Sequence, residues 1–291
     1  TLSLKLEMER SMKYILSLCL LMLVMGCETV PLTYRLQYSY TSEERDSLES
    51  RISKDVKKLY EGSALRQSKL DTLIALNDEE EEYYRQKSFK FTRVGEFEEG
   101  RRLIDKAVQL DPLNALYFTS WQLLFNYRDY EGALADLEYY DDISEGVSYV
   151  WGDNVNYLKG LCYKQMGLYD QAVEEFDACI DFEADKVSEY VYVYRGISNL
   201  RHECIDEAKK DFKMALAIDN RCTMAYVYMG EALLLSESCH EAMTYLQKAE
   251  DLLCRGAKKT HPYFEVFDEV YLDQVYDLIA QLGSESEVQF F

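Results

Sequence analysis

The sequence predicts an all-α chain, an α-solenoid of helical hairpins repeated in tandem. Three observations carry that prediction. The same residue types recur in one register at intervals of 33 to 39 residues. Only three prolines, Pro31, Pro112 and Pro262, interrupt a chain of 291 residues that is otherwise rich in helix formers. Hydrophobic residues make up 48% of it, enough for a continuous core rather than a disordered chain.

The first segment stands apart from the fold. Tyr14 to Gly26 is almost wholly apolar, follows Lys13 and ends at Cys27. Its 13 residues fall short of the ~20 needed to span a bilayer, so residues 1–26 read as a signal peptide. Val24-Met25-Gly26-Cys27 resembles the lipobox of bacterial lipoproteins. That resemblance implies acylation at Cys27 and an extracytoplasmic place in the cell envelope, periplasmic or surface-facing. On the residues alone, a simple uncleaved anchor is the alternative. Met12-Lys13 has the look of a start, which leaves residues 1–11 as an upstream extension. Residues 27–40, with Pro31 and a polar run, read as a tether.

Residues 41–80 read as an N-terminal helical cap or a degenerate repeat. Thr41 and Glu44 make a capping box ahead of the stripe Leu48, Ile52, Val56 and Leu59, and Leu65 to Leu76 supplies a second helix. The acidic run Asp78 to Glu82 lacks the alternating ligands and glycine of a calcium loop, and it suits a helix N-terminus.

Five repeat units follow, at 81–114, 115–147, 153–188, 189–222 and 223–256. Gly160, Gly196 and Gly230 are spaced by 36 and 34 residues. The same two intervals separate Ala172, Ala208 and Ala242, then Phe176, Phe212 and Leu246, then Cys179, Ala215 and Ala249. Four columns in one register are hard to obtain by chance. Upstream, an offset of 33 carries Gly100 to Ala133 and Ile104 to Leu137, the shortening being placed in the turn at Arg128-Asp129. Ala133 to Ala172 stretches to 39, which places an insertion of about five residues within Asp141 to Gly152.

The unit Tyr157-Leu-Lys-Gly160 through Gly167-Leu-Tyr169-Asp-Gln-Ala172 to Phe176 closely resembles the tetratricopeptide repeat, as does the Leu110-Asp111-Pro112 ending of the first unit. The resemblance implies a right-handed superhelix whose groove is lined by the first helix of each hairpin. Carried over column by column, the groove candidates are Tyr157, Leu161, Tyr190, Tyr194, Ile197, Arg201, Tyr228 and Glu231. They do not match the family's carboxylate-clamp pattern. Tyrosines bury large area while keeping a polar tip, so such a strip suits a protein or peptide ligand held by apolar anchors. The alternative is that these tyrosines pack against one another or against a closing helix.

One local pattern conflicts with the register. Glu189 to Tyr194 alternates like a strand, yet the repeat columns place it in the first helix of a unit, and propensity is the weaker guide. The chain is closed by a helix expected over residues 261–283. It would start at Pro262, present Phe264, Phe267, Tyr271, Val275, Leu278 and Leu282 on one face, and stop at Gly283.

Few residues suggest chemistry. Three histidines and no nucleophile elbow, phosphate loop or His-Glu-x-x-His motif give no reason to read an enzyme, and no cofactor or resident metal is called for. His202, Cys204, Cys239 and His240 fall at nearly equivalent turns in adjacent units. Zinc, a Cys204–Cys239 disulfide and unlinked thiols are the three readings there. A net charge of −21 argues against nucleic acid and anionic membrane surfaces as direct ligands. The expected function is a membrane-anchored scaffold for protein–protein interactions in the bacterial cell envelope. The alternative is an accessory lipoprotein for glycan or nutrient capture, with Trp121 and Trp151 as the available sugar platforms.

Overall fold

Helix signals and apolar stripes along the chain resolve into thirteen α-helices among the described residues of a computed structural model, which are 40–144, 149–262 and 264–288. The signal segment, Cys27 and the tether as far as residue 39 lie outside them. The chain divides into two compact units, 1–87 and 88–291.

The first unit contains α1 (Ser42–Val56), α2 (Ala64–Leu76) and the start of α3 (Glu81–Val94). Thr41 caps α1 reciprocally: its hydroxyl accepts from the Glu44 amide at 3.3 Å, and the Glu44 carboxylate accepts from the Thr41 amide at 2.8 Å. Ile52, Val56, Leu70, Leu73 and Tyr83 form a small separate core.

The second unit contains the rest of α3, then α4 (Phe97–Leu110), α5 (Pro112–Gln122), α6 (Tyr130–Ile143), α7 (Val155–Gln165), α8 (Tyr169–Glu183), α9 (Glu189–Arg201), α10 (Ile205–Ile218), α11 (Thr223–Leu235), α12 (Cys239–Cys254) and α13 (Leu272–Val288). Odd-numbered α5 to α11 are first helices of hairpins and even-numbered α6 to α12 are second helices. Residues 189–194 are helical, so the register prevails over their strand-like alternation.

The columns become contacts. A Cβ built on Gly160 would sit 2.6 Å from a Phe176 ring carbon, one on Gly196 2.6 Å from Phe212, and one on Gly230 2.6 Å from Leu246. Each glycine therefore admits the large side chain of its partner helix, and Phe176, Phe212 and Leu246 are fully buried. Arg195 on α9 reaches across to Asp211 on α10, Nε to Oδ1 at 3.1 Å, and Asn199 donates to the same carboxylate at 2.9 Å.

The turns repeat as faithfully. Gly95, Arg128, Gly167, Glu203 and Glu237 all have positive φ, and each stands five residues before the small residue that starts the packed face, Gly100, Ala133, Ala172, Ala208 or Ala242. The turn at Arg128-Asp129 is therefore of ordinary length, which corrects the expectation that the repeat shortens there. The shortening falls at the single-residue link between α4 and α5. Asp111 caps α5 by accepting from Asn114 N at 3.2 Å, and Pro112 needs no amide partner at the first helical position, so the link closes without further residues. The insertion contributes a small hairpin, β1 (Tyr149–Val150) antiparallel to β2 (Asp153–Asn154), turned by Trp151 and Gly152, both at positive φ.

The closing helix departs from expectation. α13 begins at Leu272, runs through Gly283 and ends at Val288, and the described residues between 257 and 271 form a non-helical strap. The physical reason is that the strap's partners are far away in sequence. Its carbonyls and aromatic rings engage first helices of the repeats rather than the next turn of a helix of their own.

Candidate functional site

The face formed by the first helices α5, α7, α9 and α11 is where the groove residues were expected, and the strap lies on it. Tyr194 is 2% exposed and donates its hydroxyl to the Phe267 carbonyl at 3.2 Å. Tyr228, 4% exposed, donates to the Asp268 carbonyl at 3.4 Å. At the α5 end, Arg128 Nη2 donates to the Glu265 carbonyl at 3.0 Å. At the α11 end, Thr223 donates to the Ala257 carbonyl. Side chains from three of the four hairpins thus hold main-chain carbonyls of the strap.

Side chains of the strap fill matching places. Phe264 stacks on Phe125 with centroids 4.2 Å apart, and Trp121 meets its edge at 5.3 Å. Phe267 lies under the Arg128 guanidinium, 4.3 Å from the ring centroid, and beside Phe125 and Tyr130. The Asp268 carboxylate pairs with Lys164 of α7, which is itself buried. Asp268 takes a positive φ of 51°, which bends the chain so that its carboxylate and its carbonyl serve two different helices. Lys259 places its ammonium 3.4 Å from the Tyr190 ring centroid.

Electrostatics on this face follow burial. Desolvation holds the Tyr194 and Tyr228 phenols above their ordinary range, so both remain neutral donors. Burial also pulls Lys164 below the usual lysine range against the opposing pull of Asp268. Lys259 is pushed down to about 8 by burial, with Asp153 and Glu189 resisting.

The other expected groove residues divide between core and rim. Leu161 and Ile197 are buried in the core, and Tyr157 packs among Phe176 and Tyr194. Arg201 pairs with Glu231 at 2.5 Å on the rim, and Arg201 stays exposed. The tyrosine strip is thus covered by a segment of the same chain, an arrangement close to the packing alternative. Sequence reasoning missed Arg128, Lys164 and the strap itself. Lys164 carried a legible signal: the repeat intervals align it with Leu200 and Leu234, so a lysine stands in a leucine column and calls for an acid from elsewhere.

Trp121 packs against the core, whereas Trp151 is 51% exposed beside Tyr117, with rings 6.3 Å apart and 23° from parallel. Cys204 and Cys239 are thiols rather than a disulfide, and His202 faces Asp170 at 3.3 Å. Among the described residues no cluster of His, Cys, Asp and Glu is arranged to hold a metal ion, and no helix is long and apolar enough to cross a membrane.

Comparison with known proteins agrees with this architecture. A family model described as tetratricopeptide repeat matches residues 154–186. The mitochondrial import receptor subunit TOM70 of Rattus norvegicus is 29% identical over 108 residues, 37% of this chain. The chain spans only 17% of the length of that relative. Among solved structures, MamA residues 41 to the end from Desulfovibrio magneticus RS-1 superposes with a TM-score of 0.51 at 18% identity, covering 62% of this chain and 97% of that one. PilF of Pseudomonas aeruginosa gives 0.53 at 14% identity, covering 72% and 91%. The chain carries a tetratricopeptide repeat at residues 154–186 and is, in fold, a tetratricopeptide-type α-solenoid.

Proposed function

We propose that this chain is a scaffold for protein–protein interactions, held to a bacterial membrane through lipid on Cys27 and acting in the cell envelope on the extracytoplasmic side. The observation that carries the scaffold reading is the seating of a non-helical segment on the first-helix face, where Arg128, Tyr194 and Tyr228 donate to its main-chain carbonyls. Donors aimed at carbonyls recognise a backbone, and neighbouring pockets for aromatic rings add side-chain selectivity. The lipid anchor rests on the Val24 to Cys27 pattern alone.

A photocrosslinking residue placed at Arg201, on the rim, tests the scaffold in intact cells, with Lys213 on the second-helix side as comparison. Discrete protein adducts specific to position 201 are expected. Identical adduct patterns at both positions would remove the reading. For the anchor, Cys27→Ser should abolish incorporation of a labelled fatty acid while leaving the repeats folded. Equal labelling of mutant and parent would refute it.

Glycan capture is favoured by one observation, the half-exposed Trp151 beside Tyr117. A glycan array on the purified chain separates the two readings: a hit lost in Trp151→Ala supports capture.

A further inference from the structure

The strap shares the core of the repeats, with Val266, Phe267 and Val270 buried, but its contacts differ in kind from those within a hairpin. Between the two helices of each hairpin the layer is apolar, built from Gly160, Gly196 and Gly230 against Phe176, Phe212 and Leu246. Beneath the strap, by contrast, the first helices present Lys164, Tyr190, Tyr194 and Tyr228 and the turn before α6 presents Arg128, each apolar along its body and polar at its tip. The strap in turn is non-helical, with a turn at Phe267-Asp268, and it is held by side-chain donors to carbonyls and by a Lys164–Asp268 pair, a mode that any chain of the same pattern could adopt.

Resting on the scaffold reading, we propose that the first-helix face is a recognition site for a non-helical peptide of the pattern Phe-x-x-Phe-Asp, filled in cis by Phe264 to Asp268, and that a partner carrying this pattern binds by displacing the strap. The first phenylalanine stacks on Phe125 and the second enters beneath Arg128. The acid meets Lys164. Carbonyls of the second phenylalanine and of the acid accept from Tyr194 and Tyr228. The strap's covalent attachment gives it an effective concentration on the order of millimolar, so a free peptide competes poorly until the strap is weakened.

The test uses the full chain and a fluorescent peptide of residues 264–271, Phe-Glu-Val-Phe-Asp-Glu-Val-Tyr. Phe267→Ser with Asp268→Asn weakens the strap and leaves the first-helix face untouched. The peptide is expected to bind this variant at least tenfold more tightly than the parent. Adding Lys164→Met should cost at least tenfold again, and a scrambled peptide should not bind. No binding to a variant that keeps its helical circular dichroism and cooperative melting overturns the proposal. Should the variant unfold, hydrogen exchange on the parent decides instead. Amides of 257–271 are expected to exchange at least a hundredfold faster than those of α9 and α11. Equal protection would make the strap permanent core and overturn the proposal. Adducts specific to position 201 that persist when the peptide fails would leave the scaffold reading standing and this inference refuted.

Discussion

Gly196→Ala tests whether the repeat columns mean what the packing says. The new Cβ would lie 2.6 Å from Cε1 of Phe212 and 3.0 Å from two further ring carbons, where ~3.4 Å or more is needed for ordinary contact. Phe212 is fully buried, and its ring has no flexible end to swing aside. Relief therefore requires α9 and α10 to separate by several tenths of an ångström, an overpacking cost of ~1–3 kcal/mol. Alanine recovers up to ~1 kcal/mol of helix propensity over glycine, so the two effects oppose and the contact decides the sign. A net loss of ~1–2 kcal/mol is expected. Thermal melting by circular dichroism on the single mutant, on Phe212→Leu and on the double mutant measures it. In the double mutant the smaller side chain makes room, so the two changes should couple by at least ~0.5 kcal/mol. A mutant that melts later than the parent, with effects that simply add, would show that the column is not a close-approach column and would undo the reasoning.

Two further outcomes follow from the same structure. Glu203 and Glu237 occupy left-handed backbone at φ 64° and 57°, where Gly95 and Gly167 stand in the equivalent turns, so Glu203→Gly and Glu237→Gly should each stabilise by ~0.5–1 kcal/mol in a urea titration. Burial raises the Asp136 carboxyl from 3.8 to about 6 despite its hydrogen bond from Thr119 at 3.2 Å. A raised folded-state value means the native state favours the protonated acid. Its contribution is complete below pH ~4 and is lost as pH rises through ~6, with up to ~3 kcal/mol at stake. Asp136→Asn should therefore stabilise at pH 7.5 and show little advantage at pH 4, as read by melting at the two pH values; an equal effect at both would refute the assignment.

The parts of this fold legible in the sequence are those decided between neighbours in the repeat register. Close approach of two helices demands a glycine or alanine at a fixed position, and each interval between Gly160, Gly196 and Gly230 prints that demand directly. The same register was strong enough to place Glu189 to Tyr194 in a helix against its own alternation. The strap was not legible, because Phe264, Phe267, Tyr271 and Val275 repeat at helical spacing and Pro262 suits a helix start. What decides its conformation lies elsewhere: Phe125, Arg128 and Lys164 are more than a hundred residues away, and they engage a ring, a carbonyl and a carboxylate of the strap. For the site, position was readable and occupancy was not. The columns put Tyr194 and Tyr228 on the first-helix face, but no spacing rule says that a chain segment covers them.

Charge acts at the first-helix face on two length scales. The whole chain carries a net charge of −21, so an acidic partner is repelled at long range, with a reach of ~8 Å at physiological ionic strength. At the face itself Arg128, from the turn before α6, and Lys164, from α7, meet the strap. The strap itself carries Glu265, Asp268 and Glu269, and of these Asp268 is the acid that meets Lys164. Lys164 is buried and Asp268 half-buried, and such pairs add little net stability because desolvation offsets their attraction. Their stronger effect is on register. Shifting the segment by one residue would place Phe267 or Glu269 against Lys164, leaving a buried ammonium unpaired or Asp268 displaced from its bend, and either arrangement costs more than the correct pair gains. The aromatic pockets at Phe125 and beneath Arg128 supply the area, and the single ion pair fixes which residue stands where.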